Sequence, residues 1–222
     1  MTRHPDRRFD LLVFDWDGTL VDSTAHIVHS IRSACADLDL PVPLAEDASH
    51  VIGLGLRDAL AYVLPGLDES RYMEVAERYR FHFLLGDREV TAFSGVAEGL
   101  SQLEQRGFAL AVATGKSRRG LDRSLAALGL GARFADTRCA DEGLPKPHPQ
   151  MLQHLMRNQN VLAQRTLMIG DTTHDLQMAI NAGTAAVAVT YGAHPRPALE
   201  QLAPLACLHS FGELLHWLNE NA

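Results

Sequence analysis

The chain has 222 residues, enough for one large domain or two unequal ones, and its 46% hydrophobic and 21% charged residues are the proportions of an ordinary soluble globular protein. A net charge of −7 argues against a nucleic-acid surface, which needs concentrated basic charge, yet allows a small anionic substrate held by a few local cations. Cys35, Cys139 and Cys207 are widely spaced with no C-x-x-C, which argues against a disulfide framework or zinc knuckle and predicts reduced thiols in the cytoplasm; the polar start MTRHPDRRFD predicts neither a signal nor a membrane segment.

In chain order, the first apolar run, FDLLVFD (9–15), reads as a buried parallel strand. Residues 22–90 then carry no strand pattern. Ile27, Ile31, Ala34 and Leu38 fall on one helical face there, and Tyr72, Ala76, Tyr79 and Phe83 on another. That is far more chain than one crossover helix needs. It predicts a helical unit of residues 22–90 inserted into a core of residues 1–21 and 91–222, with linkers near Val21–Asp22 and Glu89–Thr91. Ser94 is placed to cap a helix carrying Val96, Leu100 and Leu103 that stops before Gly107. FALAVAT (108–114) is the second strand; Ser117 caps the next helix, which carries Leu121, Leu125 and Leu128 and ends at Gly129. DTRCAD (136–141) is a weaker strand candidate. TLMIGD (166–171) and AAVAVTY (185–191) follow, separated by a helix from Thr172 to about Gly183. The alternation predicts an α/β fold, doubly wound around a mainly parallel sheet.

Ligands of such sheets bind beyond the C-terminal ends of the strands. VFDWDGTLVDST (13–24) puts Asp15 and Asp17 at the first of these ends, two residues apart and so on one face. An Asp-Gly turn alone would explain Asp17, but not the second acidic pair in GDTTHD, where Asp171 and Asp175 stand one helical turn apart. Carboxylates converging this way repel unless a cation sits among them. Mg²⁺, which takes a few carboxylates plus waters and often a phosphate, suits the set.

ATGKS ends the second strand, offering the Thr114 hydroxyl and Gly115 amide at a helix start, where phosphate oxygens are favoured. It is not a nucleotide P-loop, because the glycine required five residues before Gly115 is Leu110. Lys116 and Arg118 are either further anion contacts or solvated charges. Lys146 stands between Pro145 and Pro147, which restrict the backbone, and Pro147 suits the first position of a helix. Held there, Lys146 can offset the carboxylates. His148 and His154 lack zinc-protease spacing and read as surface or packing residues, and Trp16, pointing away from the aspartates, reads as core.

These four motifs, in this order, resemble the haloacid dehalogenase superfamily, and within it the phosphatases similar to phosphoglycolate phosphatase. Asp15-Trp16-Asp17-Gly18-Thr19 matches the first motif, Thr114 the second, Lys146 the third, and Gly170-Asp171 with Asp175 the fourth. The resemblance implies a Rossmann-like core with a helical cap inserted after the first motif, acting on a small phosphorylated metabolite. It implies Asp15 as the nucleophile that forms an aspartyl-phosphate and Asp17 as the general acid and base. Mg²⁺ would be held by Asp15, the Asp17 main-chain carbonyl and Asp171, with Asp175 supporting the metal shell or Lys146. Thr114, Gly115 and Lys146 would hold the phosphoryl oxygens. An aspartate at position 17 accompanies phosphoryl transfer rather than dehalogenation. VIGLGLRDAL (51–60) resembles the family's specificity loop, which implies substrate contacts at Gly55 and Arg57, although Arg57 also reads as a solvated residue early in a helix. The same core serves phosphomutases of the β-phosphoglucomutase type, pyrophosphatases and nucleotidases, and the choice between monomer and homodimer stays open.

Overall fold

Four consecutive side chains of Leu11–Phe14 (β1) are completely buried, and that strand is the centre of the fold. The computed structural model describes residues 7–86 and 90–222. Side chains alternate across a strand. Leu12 and Phe14 accordingly join one core cluster with Leu110, Val112 and Ile169, whereas Leu11 and Val13 join a second with Ala111 and Met168 on the other face. Each such side chain contributes about 1.5–3 kcal/mol of burial.

The sheet contains β1, Ala109–Thr114 (β4), Asp136–Cys139 (β5), Thr166–Gly170 (β6), Ala185–Val189 (β7) and the short Cys207–Leu208 (β8), in the spatial order β5-β4-β1-β6-β7-β8 and parallel throughout. Numbered along the chain, these strands lie 3-2-1-4-5-6, the doubly wound order, whose ligand crevice opens at the C-terminal end of the central strand. All five expected strands are present, and β8 is an addition too short to show a pattern.

Helices Val96–Gln105 (α5), Arg118–Leu128 (α6), Gln150–Gln159 (α7), Thr173–Ala182 (α8), Arg196–Glu200 (α9) and Phe211–Asn221 (α10) complete this part of the chain. The Ser117 hydroxyl accepts from the Gly120 amide at the start of α6, and Gly129 ends that helix at φ 67°. Two helix starts differ from expectation. Gly95, at φ 83°, precedes α5 without any side-chain cap, so Ser94 does not cap it. Pro147 is not the first residue of α7; a turn closed by His148 N–H on Pro145 O intervenes, and the helix begins after Pro149.

Between β1 and α5 the chain forms Val21–Asp22 (β2), helices Thr24–Asp37 (α1), Ala45–His50 (α2), Leu56–Val63 (α3) and Tyr72–Gly86 (α4), and Thr91–Ala92 (β3). β2 and β3 pair antiparallel, with Val21 opposite Ala92, which clasps the entry and exit of the helical segment. Glu89 of the expected second linker lies outside the described residues. Ile27 of α1 and Phe83 of α4 share a cluster with Ile52, and Cys35, Val51, Leu60 and Val75 form another, so these helices have a core of their own. Among the described residues no helix is long and apolar enough to cross a membrane.

Candidate active site

Asp15 continues β1 by one residue, its amide donating to Ile169 O at 2.8 Å, and its carboxylate is buried at the crevice. Trp16 turns into the core, where its indole N–H donates to Ser124 Oγ at 2.9 Å and its ring meets the edge of Phe134. The chain then reverses. The amides of Leu20 and Val21 both return to Trp16 O, and Gly18 takes φ 78°. A Cβ on Gly18 would lie 2.2 Å from Asp171 Oδ2, so the glycine lets the first loop approach the end of β6.

Asp171 is buried and doubly anchored, accepting from the Thr19 hydroxyl and the Ala193 amide, each at 2.7 Å. Asp175, in the first turn of α8, forms a capping box with Thr172 and points its other oxygen at Lys146. Lys146 is fully buried, with Nζ 2.6 Å from both Asp15 Oδ1 and Asp175 Oδ1. Burial by itself would lower the Lys146 pKa, but these two carboxylates outweigh it and hold it above the usual lysine value. Burial pushes the Asp15 carboxyl well above the ordinary range despite Lys146, and burial with repulsion from Asp175 pushes Asp171 up to about 7.

One cation among three carboxylates leaves the cluster short of positive charge. Asp15, Asp171 and Asp175 bring carboxylate oxygens within 4.8 Å of one another, and the buried Asp15 Oδ2 has no hydrogen-bond partner. A hard divalent cation fits this donor set. The Asp17 carboxylate stands apart from that group. It accepts from Ser23 Oγ at 2.7 Å and pairs with Lys116 Nζ at 2.9 Å.

Thr114 ends β4 beside β1, completely buried, and its Oγ1 accepts from the Lys116 amide at 3.1 Å. A Cβ on Gly115 would lie 2.6 Å from the backbone of Gly53, so bare backbone meets bare backbone where the inserted segment touches the strand ends. Gly55 likewise abuts Pro145, next to Lys146. Arg57 is elsewhere: it is exposed and pairs with Glu69 at 2.6 Å, which leaves it out of the cavity beside Asp17. Arg118 is spent on Asp122 and Glu142. His148 accepts from the Gln150 amide, and His154 packs on Arg138. The cysteines are free, and burial pushes the Cys139 thiol up to about 12, too high for a nucleophile at neutral pH.

Several contacts have no signal in the sequence. Thr19 and Ser23 lie in the first motif, but nothing in their spacing shows which aspartate each holds. His50 at the end of α2 meets His174 and His194 of the core, whose Nε2–H groups both donate to His50 O, at 2.7 and 3.0 Å. His194 Nδ1 accepts from the Thr173 amide, so both its nitrogens are engaged and the ring is neutral; burial pulls its pKa down to about 4. Three histidines 124 and 20 residues apart were invisible as a group before folding. They form a hydrogen-bonded seam that docks the inserted helices on the core.

The class of protein follows from this crevice and from comparison with known families. The family of haloacid dehalogenase-like hydrolases matches residues 12–189, and the chain belongs to it. Among individual proteins, the chain is 37% identical over 210 residues to a protein of Dickeya dadantii named probable phosphatase IndB, covering 92% of this chain and 91% of that one. It is 32% identical over 219 residues to a phosphoglycolate phosphatase of Haemophilus influenzae, covering 94% and 97% respectively. The crystal structure of a predicted phosphoglycolate phosphatase from Haemophilus somnus superposes with a TM-score of 0.82 at 26% identity, covering 95% of this chain and 98% of its own.

Proposed function

We propose that the protein is a Mg²⁺-dependent phosphatase that hydrolyses small phosphomonoesters in the cytoplasm through an aspartyl-phosphate on Asp15. The observation that carries the proposal is the division of labour between the two aspartates of the first motif. Asp15 is buried against Lys146 with one oxygen unpartnered, while Asp17, two residues on, is held separately by Ser23 and Lys116.

The unpartnered Asp15 Oδ2 attacks phosphorus, and the bond from phosphorus to the alcohol oxygen breaks. Asp17 gives its proton to that oxygen, so the alcohol leaves neutral. Asp17, now a carboxylate, takes a proton from a water that attacks the same phosphorus and releases phosphate, restoring both aspartates. Lys146 offsets the charge of Asp15 and of the phosphoryl oxygens, and the Thr114 hydroxyl and Gly115 amide donate to those oxygens. Asp175 keeps Lys146 in place. Asp15, Asp171 and the Asp17 main-chain carbonyl would hold Mg²⁺, which when bound supplies further positive charge for the phosphoryl group. Residues 22–90 act as the cap over the crevice, and the rest of the chain is the core.

The test is release of inorganic phosphate from a panel of phosphomonoesters with Mg²⁺. Wild type should turn over and Asp15→Asn should not, at unchanged circular dichroism. Release by a folded, uncontaminated Asp15→Asn protein would remove the nucleophile assignment. A bisphosphate requirement without free phosphate would mark a mutase instead.

A further inference from the structure

Resting on the proposed phosphatase chemistry, we propose that the alcohol half of the substrate is bulky and mainly apolar, such as an alcohol bearing an aromatic ring, rather than a two-carbon acid like glycolate. A cavity of about 550 Å³ starts at Asp17 and Lys116 and extends between the inserted helices. Its volume is that of a ligand site (about 300–1,000 Å³) and far beyond the gaps that close-packed interiors leave. Asp17 at its mouth is where the leaving oxygen must be protonated, so the cavity is where the leaving group goes.

The chemistry of the walls sets the class. Val51, Leu60, Val63, Val75, Ala76 and Phe83 are all buried and line it. Of the lining residues between 27 and 84, only Tyr79 and Arg80 have polar side chains. A carboxylate placed among these groups would lose its hydration and gain no buried cation. Lys116 lies against Asp17, its ammonium 4.7 Å from the Phe83 ring centroid, and Arg57 is outside the cavity. Arg80, Arg119 and Arg123 also border it, but all three are exposed and so stand at its wet rim. An apolar body fills the interior; any polar substituent faces those arginines.

The experiment separates this inference from the phosphatase chemistry. Binding of three non-hydrolysable isosteres, phenylpropylphosphonate, propylphosphonate and phosphonopropionate, is measured by calorimetry on the Mg²⁺-loaded protein. Alongside it, kcat/KM is measured for phenethyl phosphate, ethyl phosphate and phosphoglycolate, whose leaving alcohols have similar intrinsic reactivity. Burial of one phenyl ring should favour the phenyl compounds by about 10–100-fold in both series. Ala59→Phe, which fills the cavity from a partly exposed lining position, should erase that preference in both series. Equal or tighter binding of phosphonopropionate overturns the inference, whether or not Ala59→Phe folds. Absence of phosphate release from every ester would instead remove the phosphatase function, and the phosphonate ranking would still decide what the cavity accepts.

Discussion

Lys116 Nζ sits 2.9 Å from Asp17 Oδ1, in a pair whose side chains are only 13% and 9% exposed. The ammonium belongs to the residue just after Thr114-Gly115, the pair proposed to hold phosphoryl oxygens, and it also faces Phe83 of α4. One side chain therefore links Asp17 to the strand ends and to the inserted helices. Removing it leaves Asp17 with Ser23 as its only polar side-chain partner among the described residues. We expect Lys116→Met to lower kcat/KM by about 10–100-fold, the loss of one well-shielded charged hydrogen bond, and Lys116→Arg to recover part of it. Steady-state kinetics on both variants check this, and wild-type kinetics from Lys116→Met would contradict it.

Lys146 pairs directly with Asp15 and Asp175, both buried. Lys146→Met strands both without compensation, which costs about 3–5 kcal/mol for a buried pair. Urea unfolding of the metal-free protein at neutral pH should show that loss. Because protonation relieves the stranded charges, the loss should shrink in acid.

Mg²⁺ and protons should compete for Asp171. Its pKa is pushed up from 3.8 to about 7 by burial and by Asp175, so between those values the folded protein binds more protons than the unfolded chain. This contribution to stability is present in acid and is lost as pH rises towards 7. His194 works in the opposite direction: lowered from 6.5 to about 4 by burial and by His174, its contribution is lost as pH falls through that window. Mg²⁺ acts on the first group and not on the second. The Mg²⁺-induced rise in Tm should therefore grow from pH 4 to pH 7. A rise independent of pH in calorimetric scans would contradict binding at Asp171.

Gly115 touches the backbone of Gly53, and a Cβ there has 2.6 Å to work with. Gly115→Ala should push residues 51–55 off the strand ends without disturbing β4. Hydrogen exchange at those amides should accelerate, and KM should rise about tenfold, since only one contact between the inserted helices and the core is lost. Unchanged exchange would show that the loop does not depend on this approach.

The strand-end residues were legible in the sequence because each is fixed by local pattern. An apolar run ends at Asp15, another at Thr114, another at Gly170-Asp171, and a parallel sheet places such ends together. Lys146 was legible through its flanking prolines. The errors were local too: Gly95 rather than Ser94 opens α5, since a left-handed glycine turn replaced a side-chain cap, and a turn delays α7 beyond Pro147. What could not be read is how the inserted helices meet the core. The Lys116–Asp17 pair, the Gly53–Gly115 approach, the His50–His174–His194 seam and the cavity all join segments far apart in the chain. Arg57 shows the same gap, since only the fold reveals that it turns out to Glu69.

The most direct measurement is chemical trapping on Asp17→Asn. That variant keeps Asp15, Lys146 and Thr114 but lacks the carboxylate proposed to activate water, so a covalent intermediate should accumulate. Acid quench during incubation with a reactive aryl phosphate and Mg²⁺, then borohydride reduction, converts an acyl phosphate into homoserine. Peptide mass spectrometry should find homoserine at position 15 and nowhere else, and none in Asp15→Asn. Phosphate release by wild type with an unmodified Asp15 in the trapped variant would contradict nucleophilic attack by this residue.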